Sequence, residues 1–165
     1  MKVLIAYAGK TGCTKEMAEL LAKCIPNHEV TLADLGESCP DPVGYDYVVL
    51  GTAIRMNRAH KAMRHYLKRY SEAICALPHT LFLCCAFPDQ FDHYLGVAYP
   101  AALVRSADRT EYFGGDLTLR RHKGFEKLIA RMMRNAILEG EEDGLVLPGL
   151  LPEHVRLLGD YLRAY

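Results

Sequence analysis

The chain has 165 residues, half of them hydrophobic and 24% charged, and its 20 Lys plus Arg against 20 Asp plus Glu give a formal net charge of zero. That balance excludes a nucleic-acid-binding or other polyanion-binding class and an acidic carrier, while the length suits one domain, residues 1–165, able to bury about 70% of its unfolded surface. Cysteines at 13, 24, 39, 75, 84 and 85 include no C-x-x-C pair and no metal-ligand spacing with histidine, so a reduced, cytoplasmic protein without a metal centre is expected.

Met1 is followed at once by what reads as a strand and the first turn, so no signal peptide is expected, and no apolar run approaches the roughly 20 residues of a membrane span. Apolar segments at 2–8 (KVLIAYA), 29–34 (EVTLAD), 46–51 (DYVVLG), 80–86 (TLFLCCA) and 109–115 (RTEYFGG) alternate with stretches of helical spacing. This is the βαβ signature of a parallel sheet. Thr14 to Cys24 puts Met17, Leu20, Leu21 and Cys24 on one face, and Arg58 to Ile74 does the same for Ala59, Ala62, Met63, Tyr66, Leu67 and Tyr70; both predict amphipathic crossover helices. Between Leu35 and Gly44, Pro40 and Pro42 leave space for a short helix at most. After the fifth strand, Phe125, Leu128, Ile129, Met132, Met133, Ala136 and Ile137 recur at helical spacing with Lys127, Arg131 and Arg134 off the stripe. A basic helix inserted over about 117–151 is therefore expected, its apolar stripe packed on the sheet. Pro152 opens a last helix with Val155, Leu158 and Leu162 inward.

Between the first strand and the first helix stands AYAGKTGCTKE, residues 6 to 16. Such a junction collects free N–H groups and threonine hydroxyls at the positive end of a helix, a combination that binds phosphate. The pattern G-x-x-x-x-G-K-[ST] fails because its first glycine would be Leu4, and G-x-G-x-x-G fails because Gly9 and Gly12 are three apart. A receiver domain fails because the ends of strands one and three read Tyr7-Ala8 and Gly51-Thr52 where acids are needed. Thr11-Gly12-Cys13-Thr14 remains, a loop that suits a phosphate held and not transferred.

Gly9 to Thr14 resembles the FMN phosphate loop of flavodoxins, [ST]-x-T-G-x-T between a strand and a helix, with glycine at the first position. Residues 45–70, YDYVVLGTAIRMNRAHKAMRHYLKRY, resemble the third strand, flavin loop and helix of the flavodoxin-like protoporphyrinogen dehydrogenase family, through Gly51 to Arg55. LRRHKGFEKLIARMMR, residues 119–134, is similar to that family's basic insertion. The resemblance implies an α/β three-layer sandwich with a five-stranded parallel sheet in the order 2-1-3-4-5. It also implies FMN as cofactor and an oxidoreductase passing electrons from a porphyrinogen-like donor to a quinone-like acceptor. An electron carrier with no substrate of its own and a cofactor-free interaction module are the alternatives; the chain has no tryptophan to stack on a flavin.

In a sheet of that order, ligands gather at the carboxyl ends of strands one, three and four. Gly9, Lys10, Thr11, Gly12, Cys13 and Thr14 would then hold the phosphate. Thr52, Ala53, Ile54, Arg55, Met56 and Asn57 would wrap the isoalloxazine, and Ala86, Phe87, Phe91 and Tyr94 would close it, with Tyr99 a further aromatic of that stretch. Arg55 is the candidate partner of the flavin N1–O2 charge or of a substrate carboxylate. Plainer readings stand beside these: Thr11 and Thr14 as helix caps, Arg55 as a surface arginine, Asp89 and Asp92 as caps of the fourth helix, and Cys13, Cys84 and Cys85 as buried hydrophobes. His93 is a conceivable proton donor. Residues 119–138 either pack on the sheet or meet the inner face of a membrane.

Overall fold

The computed structural model describes residues 1–115, 127, 128, 131, 132, 135 and 149–165. β1 (Lys2–Ala8), β2 (Glu29–Asp34), β3 (Tyr47–Arg55), β5 (His79–Cys84) and β6 (Arg109–Tyr112) form a parallel sheet in the order β2-β1-β3-β5-β6. β4 (Arg58–Ala59) lies off this path and pairs antiparallel with the end of β3, so the order is the expected 2-1-3-4-5 once that short hairpin arm is set aside.

β1 is apolar without alternation because both of its faces are covered. Val3, Ile5 and Tyr7 join a core with Met17 and Leu21 of α1 (Cys13–Cys24) and with Val155, Leu158 and Leu162 of α5 (Pro152–Ala164). Leu4, Ala6 and Ala8 face the other way, toward Met63, Tyr66 and Leu67 of α2 (Lys61–Cys75), Leu95 of α3 (Phe91–Ala98) and Leu103 of α4 (Ala101–Ser106). Each fully buried aliphatic side chain contributes about 1.5–3 kcal/mol, so these two cores hold the three layers together. Gly159 lets α5 lie directly on α1, since a Cβ there would stand 2.5 Å from Cys24 Cβ.

Three expectations need correction. The helix expected from Arg58 begins at Lys61, because Met56 and Asn57 take positive φ (48° and 56°) and fold Arg58 back onto Arg55 in a two-residue hairpin. The third strand runs on to Arg55, so residues 52–55 are strand and not loop. In the 125–138 stripe, Leu128 and Met132 are helical but 52% and 64% exposed, so these two do not pack on the sheet as expected. The remainder of the stripe, and most of the insertion expected over 117–151, lie outside the described residues. Among the described residues no helix is long and apolar enough to cross a membrane.

Candidate functional site

The parallel order carries the ends of β1, β3 and β5 to one edge, and with them residues 9–14, 52–57 and 86–94. At the first of these, Gly12 is the N-cap of α1, in the left-handed region at φ 85°, and no side chain caps the helix. The first intrahelical bond is Glu16 N–H to Gly12 O at 2.9 Å, so the N–H groups of Cys13, Thr14 and Lys15 precede it. Thr14 is 1% exposed, and its Oγ1 is buried without a hydrogen-bond partner. The Cys84 thiol is near enough to feel that hydroxyl, yet no hydrogen bond joins the two. Gly9 passes so close that a Cβ there would meet Thr14 Oγ1 at 2.6 Å. Glycine at the first position of the loop thus follows from where Thr14 sits. The Thr11 hydroxyl donates weakly to Cys13 Sγ at 3.5 Å, so neither threonine caps the helix.

At the second segment, Thr52 is fully buried, donates to Ala8 O at 3.2 Å and accepts from His60 N–H at 3.4 Å. It ties β3 to β1 and to the start of α2, and its side chain is spent inside the fold. Ala53, Ile54 and Arg55 are half-buried along β3, whereas Met56 stands 74% exposed at the hairpin tip. A methionine held in the left-handed region costs about 1–2 kcal/mol, the kind of local strain that gathers at functional sites. Asn57 Oδ1 accepts a 3.0 Å hydrogen bond from His93 Nε2, which joins the hairpin to α3 and gives His93 a role of its own.

The third segment supplies Ala86, Phe87, Phe91 and Tyr94, all half-buried. Phe91 meets Tyr112 edge-on at 5.9 Å, and Tyr112 donates to Cys85 O at 2.9 Å, fixing this wall to β6. Tyr99 is core: its hydroxyl is shared between Leu50 O and Phe82 O at 3.0 and 2.9 Å. Asp89 and Asp92 are not caps, since Phe87 and Gln90 hold those positions; they lie in the first turns, where carboxylates complement the helix dipole. Burial pushes the Cys84 thiol far up and the Cys85 thiol up to about 11, so both stay protonated, and Cys13 is likewise buried. Among the described residues no group of His, Cys, Asp and Glu could hold a metal ion. A cleft of about 450 Å³ between α1 and Leu150–Pro152 contains none of the candidate residues.

Sequence reasoning missed His60. It is the N-cap of α2, its Nδ1 accepting from Ala62 N–H at 3.4 Å, which leaves the proton of the neutral ring on Nε2. Burial first, then the charges of Lys10, Lys61 and Arg55 against the opposing Asp34, hold its imidazole below the usual range. The lowered group favours the neutral ring in the folded state, so its stabilising contribution is present above about pH 6.5 and is lost as pH falls through the folded value. We expect the ligand-free protein to lose stability on acidification below about pH 6.5 and His60→Asn to flatten that limb; parallel denaturation curves would reject the assignment. The helical spacing ran on from Arg58 through His60, so nothing in the sequence marked that residue as a cap.

Compared with known families, residues 4–144 match the model of the flavodoxin domain. A Fusobacterium nucleatum flavodoxin bound to flavin mononucleotide is similar over 99% of this chain and 97% of its own, at 12% identity and a TM-score of 0.58. A mutant flavodoxin from the same organism, also bound to flavin mononucleotide, is similar over 68% of each chain at 17% identity and a TM-score of 0.51. A short-chain flavodoxin associated with a bacterial microcompartment is similar over 84% of this chain and 97% of its own, at 11% identity and a TM-score of 0.51. At such identities the solved structures speak for the fold. No curated protein matches the chain.

Proposed function

Because the chain belongs to the flavodoxin domain family, we propose that it is an FMN-binding flavoprotein that exchanges electrons with a redox partner. The observation that carries this is the Thr14 hydroxyl, buried and unpartnered at the uncapped amino end of α1. A phosphate there would accept from Thr14 and from the N–H groups of Cys13, Thr14 and Lys15, and Gly9 and Gly12 would leave it room. When bound, FMN supplies reversible uptake and release of electrons. Arg55 would set a positive charge beside the ring, Thr52 to Asn57 would flank it with strand and turn backbone, and Phe87, Phe91 and Tyr94 would exclude water.

Residues 45–70 and 119–134 support a finer reading, an oxidoreductase resembling protoporphyrinogen dehydrogenase with a porphyrinogen-like donor and a quinone-like acceptor. Exposed Leu128 and Met132, with exposed Lys127 and Arg131 beside them, support contact with a membrane surface. The flavodoxin-domain match is equally compatible with a second reading, an electron carrier without its own substrate. An FMN titration followed by anaerobic reduction, with and without a porphyrinogen, separates them. Flavin binding with porphyrinogen-driven bleaching supports the enzyme, binding without bleaching supports the carrier, and absence of binding overturns both.

A further inference from the structure

The zero net charge conceals a local excess. Arg55, Arg58, Lys61, Arg64, Lys68 and Arg69 lie within fifteen residues that contain no Asp or Glu. Arg58, Lys61, Arg64, Lys68 and Arg69 are exposed, together with His65. Among the described residues, no ion pair engages Arg58, Lys61, Arg64 or Lys68. The Arg69 guanidinium lies over the Tyr70 ring at 5.0 Å.

This pattern works against the helix that bears it. α1 and α5 each have an acid in the first turn (Glu16, Glu153) and a base in the last (Lys23, Arg163), as the helix dipole favours. α2 has neither, and carries Lys61 and Arg64 at its positive end. Like charges at i, i+3 and i, i+4, as in Lys61, Arg64 and Lys68, cost about 0.2–0.5 kcal/mol per pair. The cations therefore answer to something other than the stability of α2.

We propose that the β3–β4 hairpin and the outer face of α2 form a docking surface for a small, acidic redox protein. The kind of partner rests on the flavoprotein reading; the surface does not. From Lys61 to Arg69 the helix rises about 12 Å, too long for one small anion to cover. The apolar residues of α2 (Met63, Tyr66, Leu67 and Ile74) are buried, so α2 has nothing to insert into a bilayer. Met56, exposed at the hairpin tip beside the candidate flavin segment, supplies one adaptable apolar contact inside a charged surround, the composition of a steered protein interface.

The test is calorimetric binding of the full chain, with and without FMN, to a [2Fe–2S] ferredoxin of strongly negative net charge, at about 50 and 300 mM salt. Arg64→Glu and Lys68→Glu are made singly and together, with Arg156→Glu, equal in charge to each single reversal, at an exposed position of α5. Binding should weaken tenfold or more at the higher salt, and the double variant should lose about tenfold or more at the lower salt. Arg156→Glu should change it less than about twofold. An unchanged double variant, an equal loss in Arg156→Glu, or no binding at low salt overturns the proposal. Tighter binding to phosphatidylserine vesicles or duplex DNA than to ferredoxin also overturns it, by giving the face another occupant. Failure of the flavin reading shows separately, as ferredoxin binding that persists in a chain that takes up no FMN.

Discussion

Replacing Thr14 by valine should move two properties in opposite directions: FMN binding weakens, and the ligand-free protein becomes more stable. Thr14 Oγ1 is buried and makes no hydrogen bond, so in the absence of a ligand the hydroxyl bears its desolvation cost unrelieved. Valine keeps the shape and removes that cost, worth about 1–3 kcal/mol. With phosphate in place the same hydroxyl becomes a donor to an anion, and its loss should weaken binding by roughly 1–3 kcal/mol, about 5-fold to 150-fold in Kd. A threonine that served only as a helix cap would behave otherwise, because its valine variant would be less stable with no change toward FMN. Thermal unfolding and a fluorescence titration on the same preparation decide between the two. Equal Kd values for both proteins would remove Thr14 from the site.

The junction at residues 9–14 was legible as strand, turn and helix start because its pattern is local. A strand, a glycine turn and threonines at a helix start are written in consecutive residues, and the left-handed Gly12 falls where the pattern puts it. The sheet order was legible for a similar reason, since one βα alternation repeats along the chain and parallel strands need crossovers. The hairpin was not. Asn57 is a turn residue, but Met56 is not, and only pairing of Arg55 with Arg58 and of Ile54 with Ala59 forces that methionine to positive φ. Thr52 reads as a flavin-loop hydroxyl until the neighbouring strand offers Ala8 O to it. Tyr99 reads as a stacking aromatic until two strand carbonyls claim its hydroxyl. Charge was misread for a different reason: a sum over the whole chain cancels, whereas a partner responds to the potential of one face, and the face of α2 is positive.

The glycine of the Gly51 to Arg55 motif gives the second large effect. Gly51 lies opposite Phe82 in the β3–β5 register, and a Cβ on it would stand 1.8 Å from Phe82 Cζ and 2.2 Å from Cε1. The ring is fully buried and lies 4.6 Å from that of Phe113, also fully buried, so it has no room to give way. Gly51→Ala should therefore cost about 1–3 kcal/mol or more by overpacking, lowering Tm by roughly 2–4 °C for each kcal/mol. Phe82→Leu shortens the ring that the added methyl group would strike. It destabilises alone through the space it leaves, but the double variant should be more stable than the sum of the two losses by about 0.5–3 kcal/mol. Strict additivity would show that the ring is not what demands glycine. A Gly51→Ala protein of unchanged Tm that had lost FMN binding would instead extend the flavin segment back from Thr52 to Gly51. The coupling with Phe82 thus separates a glycine kept for packing between two strands from one kept so that a ligand can approach.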